Sequence, residues 1–169
     1  MRFKDFINES IIDIPRRTYA PKVFDDADTK NPKIKASVKA QIQAQLKEFE
    51  SEYPILKTSL IGSILTKRYR NDADLDINIL FDVPGDKQEL ERLRLSKKYL
   101  SAKTAGNVQG KLIPGSEHPI NFYFITDKET YEDQNKKADA VFDIETDKFV
   151  KRPEDFSFDT GLYLSLIHI

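Results

Sequence analysis

The sequence predicts an α/β (α+β) fold in which a short mixed β-sheet is backed by helices. Apolar residues recur every three or four positions across 34–53, which is typical of an amphipathic helix. Apolar and polar residues alternate in 74–79 and again in 119–126, which is typical of strands with one buried face. Helical and strand patterns that follow one another along a chain indicate a sheet covered by helices.

Length and composition indicate one domain. The chain has 169 residues, of which 39% are hydrophobic, and this is enough to bury a core. We expect an N-terminal arm over 1–31, a main domain over 32–163 and a non-native tail over 164–169. The net charge is −1, so any polyanion must be met by a local cluster of basic residues.

Two absences in the sequence narrow the function classes. The chain has no cysteine, which excludes disulfides, thiolate metal sites and cysteine nucleophiles. No apolar run approaches the roughly 20 residues that a membrane-spanning helix needs, and no signal-peptide core follows Met1. We therefore expect no membrane partner and a cytoplasmic protein, with the host cytoplasm or the virion as its location if a phage encodes it.

The N-terminal stretch MRFKDFINES allows two interpretations. It resembles the short N-terminal peptides of T4-like phage proteins, including capsid-targeting leaders that are removed after a glutamate, which is Glu9 in this sequence. Alternatively, Phe3, Phe6 and Ile7 have the spacing of a short amphipathic helix that docks on the domain. We favour docking, and we treat the resemblance as an indication of phage origin.

The C-terminal stretch LSLIHI, residues 164–169, resembles the translation of a transposase adapter used in sequencing libraries. On this interpretation the native sequence is expected to stop near Tyr163, and the rest is left out of fold reasoning. The main domain is then a candidate for truncation at its C-terminus.

The first half of the chain predicts an arm, a helix and two strands. Residues 10–31 predict an extended arm, after which Asn31 is expected to cap a helix with Pro32 in its first turn and Pro54 at its end. The run 56–65 predicts a strand that is interrupted at Gly62 and Ser63, and a second strand follows Asp74. The apolar stripe of the helix consists of Ile34, Val38, Ile42, Leu46, Phe49 and Tyr53.

The second half predicts further helices and strands. Residues 87–101 predict a charged helix with Leu90, Leu93 and Leu100 facing inward. The remaining predictions are a short strand over 108–113, a strand over 119–126, a partly helical segment over 127–139, and a hairpin of 140–144 with 148–150.

A motif in residues 60–82 indicates a chemical function. Ile61-Gly62-Ser63 ends one apolar run, and Asp74-Leu75-Asp76-Ile77 opens the next. Two carboxylates that are two positions apart on a strand point to the same face and suit a divalent cation. This pattern resembles the polymerase-beta-type nucleotidyltransferase superfamily, and the resemblance covers residues 33–126.

The resemblance implies a reaction and a set of roles. It implies Mg²⁺-dependent transfer of a nucleoside monophosphate from a nucleoside triphosphate to an acceptor hydroxyl or phosphate, with two Mg²⁺ ions and with Asp74 and Asp76 as ligands. Gly62 and Ser63 would accommodate the triphosphate. The basic residues Lys67 and Arg68, with Arg70, would meet its charge. The acceptor is a small molecule, a protein or RNA, and the near-neutral chain favours one of the first two.

The third carboxylate of this family falls on a later strand, and the matching position here is Asn121. An amide oxygen can bind Mg²⁺, but it carries no charge and cannot act as a base. Four interpretations stay open: an altered working site in which Glu117 or His118 assists, an inactive domain that binds nucleotide, a different strand as the true match, or a polar residue on the solvent face of a strand.

Other interpretations of the acidic cluster are weaker. Residues 72–76 match the first positions of an EF-hand loop. However, the sixth position of such a loop would be Ile77 instead of glycine, and the twelfth would be Val83 instead of glutamate. Asp74 and Asp76 could also be the solvent side of an edge strand, although repulsion between neighbouring carboxylates favours a cation site. The alternative function is an inactive nucleotidyltransferase-like binding module or a phage structural protein.

Overall fold

The computed structural model describes residues 16–99 and 108–154. Within these ranges the chain forms a mixed α+β fold, which confirms the predicted class of a mixed sheet with helices. The helices are α1 (Ala36–Phe49), α2 (Gln88–Tyr99) and α3 (Lys128–Lys137). The strands are β1 (Phe24–Asp25), β2 (Lys33–Ile34), β3 (Ile55–Ile61), β4 (Leu75–Phe81), β5 (Val108–Leu112), β6 (Pro119–Ile125), β7 (Val141–Asp143) and β8 (Lys148–Lys151).

Six strands form the main sheet in the order β5-β6-β4-β3-β7-β8, and β1 pairs with β2 separately. β4 and β6 run parallel, whereas the other neighbouring strands of the main sheet are antiparallel. The parallel pair places the N-terminal ends of β4 and β6 side by side. Since β3 is antiparallel to β4, its C-terminal end lies at the same edge of the sheet.

The two faces of the sheet have different roles. Alternate residues of β4 (Leu75, Ile77 and Ile79) are fully buried in the main core, on the face that also receives α1 and α2. Phe49 of α1 stacks edge-to-face on Phe122, with ring centroids 5.1 Å apart. Such a pair contributes about 0.5–1.5 kcal/mol beyond its buried area. The opposite face is partly covered by α3, whose Tyr131 packs with Leu80 and Ile125.

The first helix begins later than the sequence predicted. Asn31 does not cap it, because Ile34 belongs to β2 and α1 begins at Ala36. The reason is strand pairing: Ile34 lies opposite Phe24, and the Lys35 amide donates to the Val23 carbonyl over 2.9 Å. The described part of the predicted arm, 16–31, also contributes buried side chains to the main core, namely Tyr19, Ala20, Val23 and Phe24.

The predicted inward face of the second helix is wrong. Leu90 is 67% exposed and Leu93 is 52% exposed, whereas Leu95 is 1% exposed. Leu90 and Leu93 do form a stripe at i, i+3 spacing, but the helix is turned so that Leu95 and Tyr99 contact the core instead. Tyr99 meets the Phe124 ring with centroids 5.8 Å apart. Tertiary packing therefore selects the other side of the helix.

The remaining predicted elements occur with small shifts. The strand predicted over 56–65 ends at Ile61, and a short 3₁₀ turn follows at Ser63–Leu65. The hairpin of β7 and β8 is confirmed, and Asp127 caps α3 by accepting from the Thr130 amide over 2.7 Å. Outside the described residues lie Phe3, Phe6, Ile7, Glu9, Leu100 and 164–169. Among the helices that are described, none is long and apolar enough to cross a membrane.

Candidate functional site

Three strand ends bring the motif residues together. Asp74 directly precedes β4, and Asp76 is the second residue of that strand. In the register of the sheet, Asp76 lies between Ile61 of β3 and Asn121 of β6. Gly62 follows Ile61. The two halves of the sequence motif and Asn121 therefore meet at one edge of the sheet.

Asn121 joins the two carboxylates. Its Nδ2 donates to Asp74 Oδ2 over 2.5 Å and to Asp76 Oδ1 over 3.3 Å. One amide group carries two N–H bonds, so it can serve both acceptors at once. Asn121 is only 4% exposed, so it is not a polar residue on a solvent face. The strand chosen from the sequence is the one that lies beside Asp76.

Burial raises the pKa of the Asp76 carboxyl above its ordinary value, and the neighbouring charge of Asp74 raises that pKa further. Hydrogen bonds from Asn121 and Tyr123 to the ionised form of Asp76 oppose both effects. The Tyr123 hydroxyl lies 3.3 Å from Asp76 Oδ1. Sequence reasoning did not include Tyr123 in the site, although it alternates with Asn121 on β6 and so shares its face. Burial and the charge of Asp74 therefore disfavour the ionised form of Asp76, and a cation bound here would favour it.

Gly62 is required by its conformation and by its neighbour. It has φ +94° and ψ −174°, a region that side-chain-bearing residues rarely adopt. A Cβ at this position would lie 3.0 Å from Asp76 Oδ2. The glycine therefore allows the end of β3 to approach the acid pair closely.

Ser63, Lys67 and Arg68 line a cavity of about 650 Å³ next to this edge of the sheet. Arg70 does not line it, and its guanidinium is paired with Asp72 at 3.3 Å. The cavity wall carries six basic side chains and two acidic ones. The basic residues are Arg16, Arg17, Lys67, Arg68, Lys151 and Arg152, and the acidic residues are Asp139 and Glu154. Four of the basic residues come from segments that the sequence motif does not include.

His118 has a structural contact next to the site. It is 4% exposed, and its Nδ1 lies 2.7 Å from the carbonyl oxygen of Ala73. Because a carbonyl can only accept, Nδ1 carries the proton. His118 thereby ties the start of β6 to the residue before Asp74. Glu117, the other predicted helper, is exposed.

Asp74, Asp76 and Asn121 are the residues at this edge that could hold Mg²⁺. Mg²⁺ is commonly held by one or two carboxylates together with substrate phosphates and water. Asp74 and Asp76 supply two carboxylates, and rotation of the Asn121 amide would present its oxygen as a neutral ligand. In the described ranges no cluster of three or more histidine, cysteine, aspartate or glutamate side chains could hold a metal ion.

Comparisons of the chain with protein-family models, with curated proteins and with solved structures found no match.

Proposed function

We propose that this protein is a Mg²⁺-dependent nucleotidyltransferase that moves a nucleoside monophosphate from a nucleoside triphosphate to an acceptor hydroxyl or phosphate. The observation that carries the proposal is the meeting of Gly62, Asp74, Asp76 and Asn121 at one edge of the sheet. A basic cavity opens beside them. An acidic pair for a cation next to a basic wall for phosphates suits a metal-bound polyphosphate.

Different residues would bind the metal ion and the triphosphate. Asp74 and Asp76 would hold Mg²⁺, which would neutralise charge on the reacting phosphate oxygens. The triphosphate would lie along Gly62 and Ser63, and Lys67 and Arg68 would meet its negative charge. The acceptor oxygen attacks the α-phosphorus and forms a new phosphorus–oxygen bond; a hydroxyl acceptor loses its proton to solvent in this step, and an ionised phosphate acceptor has no proton to lose. The bond from the α-phosphorus to the β-phosphate oxygen breaks, and pyrophosphate leaves.

Nucleotide incorporation and thermal stability test the proposal together. We expect Mg²⁺ with at least one of the four nucleoside triphosphates to raise the melting temperature and to yield a labelled product. The double variant Asp74→Asn, Asp76→Asn should lose both effects, whereas Asp82→Asn, an exposed carboxylate at the other end of β4, should keep them. Absence of both effects in the wild type would remove the enzyme proposal.

The second candidate function is a nucleotide-binding module without turnover. It is favoured by the hydrogen bonds from Asn121, since these satisfy both carboxylates without a metal ion. Asn121→Asp separates the two candidates. Activity that occurs only in this variant would identify the wild type as a binding module, and activity in the wild type would identify an enzyme with an altered site.

A further inference from the structure

We infer that the acceptor carries a phosphate monoester, and that an oxygen of this phosphate is the nucleophile. This inference rests on the proposed nucleotidyltransferase function and names its acceptor class. Two independent observations carry it: the neutral side chain at the third position of the acid site, and the manner in which the cations of the neighbouring cavity are held.

The acid site offers no third carboxylate to take a proton. Asn121 occupies that position in the sheet register, and an amide cannot act as a base. Asp74 and Asp76 are engaged by Asn121 and are the proposed metal ligands. An acceptor hydroxyl would have to lose its proton during attack, whereas a phosphate monoester has a second pKa of about 6 and is already ionised at neutral pH. The site therefore suits a nucleophile that needs no base.

The reaction balances without a proton transfer. An ionised oxygen of the acceptor phosphate attacks the α-phosphorus of the nucleoside triphosphate and forms a phosphorus–oxygen–phosphorus link. The bond between the α-phosphorus and the β-phosphate oxygen breaks, and pyrophosphate leaves with that electron pair. One phosphoanhydride bond is broken and one is formed, so no oxidant, reductant or further co-reactant is needed.

Cationic side chains of the cavity wall donate hydrogen bonds to neutral groups, which do not cancel their positive charge. Arg16 donates to the Tyr69 carbonyl and the Asn71 amide oxygen, over 3.0 and 2.9 Å. Arg152 donates to the Lys30 carbonyl and the Asn31 amide oxygen, each over 2.6 Å.

Lys151 completes this set of neutrally held cations. It donates to the Lys136 carbonyl over 3.0 Å and to the Ala138 carbonyl over 2.5 Å, at the end of α3. Within the described residues, none of Arg16, Lys151 and Arg152 is paired with a carboxylate. The three cations are thus positioned in advance, with charge that an anion can neutralise.

The sheet sets the distance between this wall and the acid pair. Asp76 lies opposite Ile61, Ile61 opposite Val141, and Val141 opposite Lys151. Neighbouring strands are about 4.8 Å apart, so three steps separate the backbones of Asp76 and Lys151 by about 14 Å. Ser63 lies beside the strand end that meets the acid pair, and we assign this side of the cavity to the triphosphate. The side lined by Lys151 and Arg152 is available to a second anionic group, which we assign to the acceptor.

Calorimetric binding in EDTA tests the cavity without metal or turnover. Ribose 5-phosphate and ribose are compared, and a 5′-phosphorylated pentanucleotide is compared with its 5′-hydroxyl form. We expect the phosphorylated member of at least one pair to bind and its partner not to bind. The first pair represents a small acceptor and the second a polynucleotide end. Equal binding within both pairs, or no binding at all, would overturn the inference.

Variants locate the binding to the basic cavity. Arg17→Gln with Arg152→Gln should weaken binding of the phosphorylated probe about tenfold or more. Lys47→Gln with Lys97→Gln removes the same charge from exposed positions on α1 and α2 and should leave binding within twofold. If loss of the Arg152 contacts prevents folding, Arg17→Gln alone serves, since Arg17 makes no hydrogen bond or ion pair with the described residues. Equal weakening by both double variants would overturn the inference.

Transfer assays separate failure of this inference from failure of the proposed function. With Mg²⁺ and labelled nucleoside triphosphate, we expect a pyrophosphate-linked product, identified by mass spectrometry, from the phosphorylated probe that binds. Equal transfer to the unphosphorylated partner would overturn the acceptor assignment and leave the proposed function intact. Binding without any transfer of nucleotide would overturn both, because the cavity would then be an anion site only.

Discussion

Asn121 Nδ2 lies 2.5 Å from Asp74 Oδ2, so a neutral amide fills the space between two acidic strand ends. A carboxylate at this place would add a third negative charge. The amide instead supplies hydrogen-bond donors to the two charges already present. We expect this contact to stabilise the metal-free protein and a site with two carboxylates to bind a cation less strongly than one with three.

The first prediction concerns Asn121→Asp. Without metal, the substitution replaces a donor by a third charge, and we expect the free energy of unfolding to fall by about 1–3 kcal/mol in EDTA. Addition of Mg²⁺ should raise the stability of the variant more than that of the wild type, because three carboxylates bind a cation more strongly than two. Urea unfolding in EDTA and in Mg²⁺ measures both effects. Gln43→Glu, on the exposed side of α1, adds the same charge and should show neither.

The second prediction concerns Gly62→Ala. The backbone conformation of Gly62 strains a side-chain-bearing residue by about 1–3 kcal/mol, and the new Cβ would press on Asp76 Oδ2. We expect a loss of stability of at least this size, measured by urea unfolding. Gly85→Ala is the matched control, because a Cβ there has no heavy atom within 4 Å. An equal change in both variants would contradict the close approach of Gly62 to the acid pair.

The third prediction concerns acid stability at Glu52. Hydrogen bonds from Lys98, Arg94 and Tyr99 lower its pKa from 4.5 to about 2. A lowered native pKa gives stability that is complete above the unfolded pKa and is lost as the pH falls toward the native pKa. Unfolding measured from pH 6 down to pH 2 should show this loss below about pH 4.5. Glu52→Gln should reduce the loss, whereas Glu50→Gln, at an exposed neighbouring position, should retain it.

The fourth prediction compares two leucines of α2. Leu95 is fully buried, so Leu95→Ala should lower the free energy of unfolding by about 2–5 kcal/mol. Leu93 is about half exposed, and Leu93→Ala should change the free energy of unfolding by about 0.5 kcal/mol or less. Both substitutions remove the same atoms from the same helix, so helix propensity cancels in the comparison. A larger loss at Leu93 would mean that the helix is turned the other way.

Sequence reasoning identified the features that are determined by residues close together in the chain. The alternation in β4 and β6 and the spacing of Gly62 and Asp74 are local, and strand geometry converts them directly into a shared face. The interpretation of Asn121 as the third site position came from the family resemblance, and the alternation of β6 placed Asn121 on one face with Tyr123. The other predictions needed only the period of each element.

Other features depended on long-range packing. Ile34 has a helical spacing with Val38, but pairing with β1 makes residues 33–34 a strand. The face that α2 presents is chosen by aromatic rings on β6 and α1, which no pattern within α2 contains. Arg16 and Arg152 reach the same cavity from opposite ends of the described chain, and their approach depends on the fold as a whole.

The two parts of the proposed site differ in how much of the chain they require. The strands that carry the acid pair end by residue 125, whereas Arg16, Arg17, Lys151 and Arg152 reach the cavity from segments outside those strands. Under the proposal, substitutions at these four positions would change recognition of the acceptor phosphate and leave the acidic centre in place. Acceptor preference and metal binding would then be able to change independently of each other.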